Sequence, residues 1–253
     1  PYSQAGDQHY LVKKAATSQL HMKPYLPKNQ QVRIEPANDA DSLLVSRYNA
    51  AAFRPAAPPF EEDYTNKELF GLNPDSTFTI ASDQSISFSK AGFYGIKAIG
   101  GKSILPLRVT GSAFPELKQP RQLRQSIRYI TSKSNYEELK AKPAKAAVDE
   151  FWLARANRQK DQAREMIQQY YQRVQQANEF FTTYKKGWKT DRGLIYTIFG
   201  KPYIVYRTNT TEVWIYPNKN SLPTLEFRFD RRDHALAPVY FELQRSRFYE
   251  DPF

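Results

Sequence analysis

At 253 residues the chain is long enough for one large or two ordinary domains, and 17 Tyr with 16 Phe supply apolar content that excludes wholesale disorder. The absence of Cys removes disulfides, thiolate metal sites and Cys nucleophiles together. The formal charge of +11 is concentrated between Lys118 and Arg192, where 17 Lys and Arg face 8 Asp and Glu for a net of +9, a balance suited to phosphates, anionic lipid or glycan, or an acidic protein partner.

Residues 1–28 read as an extended N-terminal segment with little order, carrying Lys13-Lys14 and then Pro24 and Pro27 around Tyr25-Leu26. The chain opens Pro1-Tyr2 without an initiator Met, as expected of a processed or trimmed piece of a longer precursor, so any lipid tether would lie outside it. From Gln31 the pattern turns to short β-favouring runs, Val32-Arg33-Ile34 and Leu43 to Tyr48. A Pro/Ala-rich connection follows, Arg54-Pro55-Ala56-Ala57-Pro58-Pro59, which continues neither a helix nor a central strand. Beyond it Phe78/Ile80, Ile86/Phe88 and Leu105/Leu107/Val109 alternate with period two, and Phe93 to Ala98 is a further β-favouring run. Residues 29–117 are therefore expected to form a small antiparallel β-sandwich of immunoglobulin-like type.

Pro115 and Pro120 close that unit, and residues 118–186 switch to helical spacing. Leu123, Ile127 and Ile130 fall on one face, with Arg121, Arg124 and Arg128 together on another. Ser134 is placed to cap a short helix through Leu139, and residues 144–156 carry Ala147, Val148, Phe151 and Trp152. From Asp161 to Tyr184 the stripe Ile167, Tyr170 or Tyr171, Val174, Ala177 and Phe181 predicts a long amphipathic helix.

The region 187–253 begins with Gly187-Trp188-Lys189-Thr190-Asp191-Arg192-Gly193. Gly187 suits a left-handed cap at the end of the long helix, Thr190 or Asp191 suits the cap of the next, and Trp188 would be a buried anchor. Leu194, Ile195, Ile198 and Phe199 fit a two-turn helix ended by Gly200 and Pro202, with a strand as the competing reading. Strands are expected over 212–216, 225–229 and 239–243, with turns at Pro217-Asn218-Lys219-Asn220 and Asp230-Arg231-Arg232-Asp233. This last region reads as a small module of helix plus antiparallel sheet, so the whole is α+β and multidomain.

No constellation for catalysis is readable. His9, His21 and His234 fall in separate segments, Glu61-Glu62-Asp63 lacks the alternating ligands of a calcium loop, and Asp191 has no second catalytic group at a recognisable spacing. Asp191 reads as a group that binds backbone N–H, with Arg192 reaching a nearby carboxylate or carbonyl. Tyr170-Tyr171 and Phe180-Phe181 each place one ring in the core and leave the other as a candidate contact. No metal, no cofactor and no nucleic acid is expected, and Arg121, Arg124, Arg128, Arg164 and Arg173 are the candidate surface for an acidic partner.

The string GWKTDRGLIYTIFGKP resembles the signature of the GWxTD-domain family, known mainly from Bacteroidota, through Gly187, Trp188, Thr190, Asp191, Arg192, Gly193, Tyr196, Gly200 and Pro202. The likeness extends upstream to Phe151-Trp152 and Tyr170 to Phe181, and downstream to Glu212, Trp214, Tyr216 and Phe227-Arg228-Phe229. A slighter likeness of the C-terminal part is to the SmpA/OmlA type of small outer-membrane lipoprotein. The resemblance brings no reaction with it. It implies a cell-envelope setting, periplasmic or outer-membrane associated, and with the basic middle it points to a non-enzymatic scaffold whose acidic partner belongs to an outer-membrane β-barrel complex. A glycan- or peptidoglycan-binding module is the alternative, and a hydrolase the third.

Overall fold

The computed structural model describes residues 10–38, 40–49, 53–64, 66–68, 71–217 and 224–250. Strands β1 (Tyr10–Lys14), β3 (Val32–Pro36) and β6 (Ser85–Ile86) form one sheet in the order β1-β3-β6. Strands β2 (Tyr25–Pro27), β4 (Ser42–Tyr48), β5 (Ser76–Ala81), β7 (Gly92–Ala98) and β8 (Ile104–Thr110) form a second in the order β2-β8-β7-β4-β5. All pairings are antiparallel except β2 with β8, which is parallel.

Residues 10–28 are thus more ordered than their sequence promised. Tyr10 and Val12 are buried in β1, and the Tyr10 hydroxyl donates to Ser103 O and accepts from the Ala98 N–H, so the segment is stitched to the second sheet. His21 is buried with its Nε2 at 2.8 Å from Tyr25 O, and desolvation lowers its pKa. His9 lies outside the described residues.

One apolar cluster draws on both sheets: Tyr10, Val12 and Ile34 from the first, with Val45, Ile96 and Leu107 from the second. The opposite face of the second sheet is covered too. Tyr48 and Phe93 pack there with Phe53 of the connection, Tyr184 from the end of the helical middle, and Leu236 and Tyr240 of the C-terminal part.

The middle is helical: α1 (Pro120–Ser126), a 3₁₀ turn over Ile127–Ile130, α2 (Lys133–Ala141), α3 (Ala144–Arg155), α4 (Lys160–Phe181) and, after the motif corner, α5 (Asp191–Phe199). Ser132, not Ser134, caps α2, accepting from the Asn135 N–H at 3.3 Å. The Leu194 to Phe199 run is helical, and Gly200 ends it with φ 80°.

The C-terminal sheet comprises β9 (Ile204–Arg207), β10 (Thr211–Tyr216), β11 (Leu225–Arg232) and β12 (Tyr240–Leu243) in the order β12-β11-β10-β9, antiparallel throughout. The turn expected at Asp230 to Asp233 is displaced, because β11 continues through Arg232, which pairs with Tyr240. Residues 218–220 of the other expected turn lie outside the described residues. The sheet's inner face, with Trp214, Phe227 and Phe229, packs on Val174, Trp188, Leu194 and Ile195 to form the second large core. The architecture is mixed α/β: N-terminal strands, a helical middle, a C-terminal sheet.

The Pro/Ala connection is part of that second core. Ala56 is buried in it and its N–H donates to Lys189 O at 2.9 Å. Among the described residues no helix is long and apolar enough to cross a membrane.

Candidate functional site

The motif corner is built on close backbone approach. Helix α4 ends at Phe181, where the Thr182 hydroxyl donates to Asn178 O at 2.6 Å and accepts from the Gly187 N–H at 2.9 Å. Gly187 therefore does not supply a left-handed cap; it opens the turn Gly187–Lys189. Glycine is required there because a Cβ would lie 1.8 Å from Ala177 O. Gly193 repeats the device one turn on, since its Cβ would lie 1.8 Å from Gly187 O. Between them Trp188 is buried edge-to-face against Tyr129 at 5.7 Å, and the Thr190 hydroxyl caps α5 by accepting from the Gly193 N–H at 3.0 Å.

Asp191 and Arg192 serve the edge strand β12. Asp191 Oδ2 accepts from the Leu243 N–H at 3.1 Å, while Oδ1 meets Arg245 Nη2 at 2.6 Å. Arg245 in turn donates to the carbonyls of Ala57 and Pro58 and lies over the Tyr64 ring, which ties the connection to the module. Arg192 reaches Glu212 at 3.1 Å and Val239 O at 3.0 Å, and its burial lowers its pKa against the raising influence of Glu212. Glu212, buried, is shared with Arg207 at 2.9 Å and with the Trp214 indole N–H at 3.2 Å. Tyr216 donates to Gly200 O, and Tyr196 to Gln176. These polar groups of the motif are therefore occupied by one another and by backbone.

The other edge of the same sheet is open. All four residues of β9 are exposed, as is Tyr203 before them (77%), and Tyr206 reaches 60%. The Thr208 N–H donates to Thr211 O, so the alternation of an antiparallel ladder turns the backbone groups of Val205 and Arg207 away from β10. Beside this edge lies a groove of ≈ 700 Å³, lined by Phe180, Tyr196, Lys201, Pro202, Arg207 and Trp214 among others. Phe180 is exposed at 57% whereas Phe181 packs on the core, and Tyr170 is buried with its hydroxyl on Ser126 O while Tyr171 packs at the core's rim. Strand β9 was missed from sequence although Ile204-Val205-Tyr206, followed by Thr208-Asn209-Thr210, carries a hairpin signal.

The five candidate arginines are engaged in different ways. Arg124 donates to the carbonyls of Leu139, Lys140 and Lys142 and closes the end of α2. Arg128 follows the change from α-helix to 3₁₀ turn and lies over the Tyr136 ring. Arg164 pairs with Asp161 at 2.8 Å, and Arg173 donates to Ile198 O at the end of α5. Only Arg121 joins a cationic cluster, with Arg108, Lys186 and Lys189 around a cleft. Among the described residues no group of three or more His, Asp and Glu is placed to hold a metal ion. Glu61, Glu62 and Asp63 are exposed, with Glu62 meeting Arg247.

A family model described as the GWxTD domain matches residues 92–253, beginning at the first residue of β7 and running through the helices and the C-terminal sheet. No curated protein and no solved structure matches the chain.

Proposed function

The chain belongs to the GWxTD-domain family, and from that premise we propose that it is a non-enzymatic binding and scaffold protein of the cell envelope, an accessory subunit of an outer-membrane protein assembly or export complex. One observation carries this reading: the two edges of the C-terminal sheet are treated oppositely. Asp191 occupies the Leu243 N–H of β12 and Arg192 the Val239 carbonyl just before it, while β9 presents unpaired backbone groups flanked by apolar side chains. An exposed edge of this kind is a template for strand addition, and soluble proteins ordinarily blunt it. The occupant is an extended acidic segment of a partner protein. Lys201, Arg207 and Arg231 line the adjoining groove, and Glu212 is the one carboxylate there.

The N-terminal strands support the same class of role. We read them as an immunoglobulin-like sandwich, a type of domain that recurs in recognition: β8-β7-β4-β5 can be taken in the G-F-C-C′ order with β2 added beside β8, and β1-β3-β6 as the facing sheet. Asp191 has both oxygens engaged by the Leu243 N–H and Arg245, which favours binding over chemistry. A glycan-binding module is the second reading, favoured by the exposed rings of Tyr203 and Tyr206.

The test is capture from detergent-solubilised envelopes by the wild type and by Val205→Pro. Proline at an edge position whose N–H points outward spares the ladder and deletes the donor a partner strand needs. Loss of a captured β-barrel complex with an unchanged melting curve is expected. Equal capture by both proteins, or retention on cell-wall sugar in place of protein, overturns the strand-addition reading.

A further inference from the structure

Where the second sheet meets the motif corner, Arg108 of β8, Arg121 of α1 and Lys186 and Lys189 of the corner line a cleft of ≈ 460 Å³ together with Gln122 and Gln125. No Asp or Glu lines it, and among the described residues none of these four cations has a carboxylate within ion-pair distance. Arg108 is the telling member. It is 5% exposed, donates through Nη1 to Tyr184 O, and its Nε is buried without a hydrogen-bond partner. Elsewhere in the same protein buried cations are matched: Lys185 has Glu68 at 3.0 Å and Arg245 has Asp191 at 2.6 Å.

We propose that this cleft is an anion site that binds a phosphorylated small molecule through its phosphate, with Arg108, Arg121, Lys186 and Lys189 as the cationic wall. Gathering like charges without a carboxylate costs stability, a cost that a purely structural corner has no reason to carry and that binding sites commonly do. Phosphate matches guanidinium forks and ammonium groups in charge and geometry. The volume lies within the range of about 300–1,000 Å³ typical of small-ligand pockets, leaving room for a sugar or glycerol unit beside the two glutamine amides. Burial, with Arg108 as the next cause, brings both lysines down to about 8, as for ammonium groups desolvated close to another cation; Lys189 Nζ also donates to Phe53 O at 2.7 Å. The cleft shares no lining residue with the groove beside β9, so the proposal is independent of the strand-addition reading.

Isothermal titration with glycerol 3-phosphate and glucose 1-phosphate, against glycerol and glucose at matched ionic strength, tests it. Saturable one-to-one binding by the phosphates alone is expected, weakened roughly tenfold or more in Arg121→Gln and in Lys186→Gln, since each substitution removes a charge-assisted contact. Neither variant deletes an ion pair, so both should fold, and circular dichroism checks it. At pH 8, where a phosphomonoester with a second pKa of about 6 is already dianionic, binding should take up protons as the lysines regain charge. Competition by vesicles containing phosphatidate assigns the phosphate to a lipid headgroup, and its absence assigns it to a soluble ligand. No saturable binding, or binding unchanged in both variants, overturns the proposal.

Discussion

Asp191 and Arg245 stand 54 residues apart and meet at 2.6 Å, with side chains 1% and 3% exposed. The pair is the junction of three segments, because Asp191 also receives the Leu243 N–H and Arg245 also holds the carbonyls of Ala57 and Pro58. Breaking a buried pair by removing one partner strands the other charge and costs about 3–5 kcal/mol. Asp191→Asn and Asp191→Ala should therefore destabilise by similar amounts in urea denaturation. A helix-capping role would make the Asn variant nearly neutral. The double replacement Asp191→Asn with Arg245→Met should cost less than the two single changes added together. An Asn variant as stable as wild type would show that the ion pair contributes little.

Gly187→Ala and Gly193→Ala should each prevent the corner from closing, since the added methyl would sit 1.8 Å from a carbonyl oxygen in both cases. Backbone meets backbone there, so no side chain can move aside. Soluble yield and the near-ultraviolet dichroism of the tryptophans measure the outcome, and a native spectrum for either variant would refute this geometry.

Trp188→Ala should cost roughly 3–5 kcal/mol, the usual range for emptying a large aromatic site in a core. The ring lies within the cluster that includes Val174, Leu194 and Ile195. Thermal denaturation decides it: an unchanged melting temperature together with lost ligand binding would make Trp188 a contact of the adjoining cleft, which it also lines.

Stability should climb with pH between about 8 and 10. Lys186 and Lys189 are lowered from 10.5 to about 8 in the folded protein, so over that window the unfolded chain binds more protons and ∂ΔG/∂pH is positive. Above about 10 the trend should reverse. Tyr64 and Tyr171 are raised by burial from 10.0 to about 12, and stability held below the unfolded value is lost as their unfolded counterparts ionise. Denaturant midpoints across the range test this, and Lys186→Gln should flatten the rise between pH 8 and 10.

Periodicity made most of this fold legible. The alternation of Leu105, Leu107 and Val109 marks the inward face of β8, and the spacing of Tyr170, Val174 and Ala177 marks that of α4. Trp188 and Thr190 were readable because a buried ring and a cap are local facts. Arg245 was not, since the carboxylate and strap carbonyls that hold it lie 54 and more residues away and nothing near it in the chain signals burial. What the arginines of α1 and the 3₁₀ turn would meet was not readable, because it is set by the next helix: Arg124 is held by the carbonyls of Leu139, Lys140 and Lys142, and Arg128 lies over the Tyr136 ring. Lys186 and Lys189 flank Trp188 in plain view, but the cleft they line appears only once β8 brings Arg108 to them.

The strap over residues 53–59 sets the order in which this protein can be completed during synthesis. Its carbonyls at Ala57 and Pro58 wait for Arg245, 188 and 187 residues later, and β4 waits for β7. A chain emerging from the ribosome N-terminus first can set Phe53 on Phe93 and Tyr184 and Ala56 on Lys189 while the carbonyls of Ala57 and Pro58 still lack Arg245. Translation stalled before residue 245 should leave the strap open to protease, and the segment 92–253, expressed alone, should behave as an incomplete body, because its core includes a residue that lies before its own boundary.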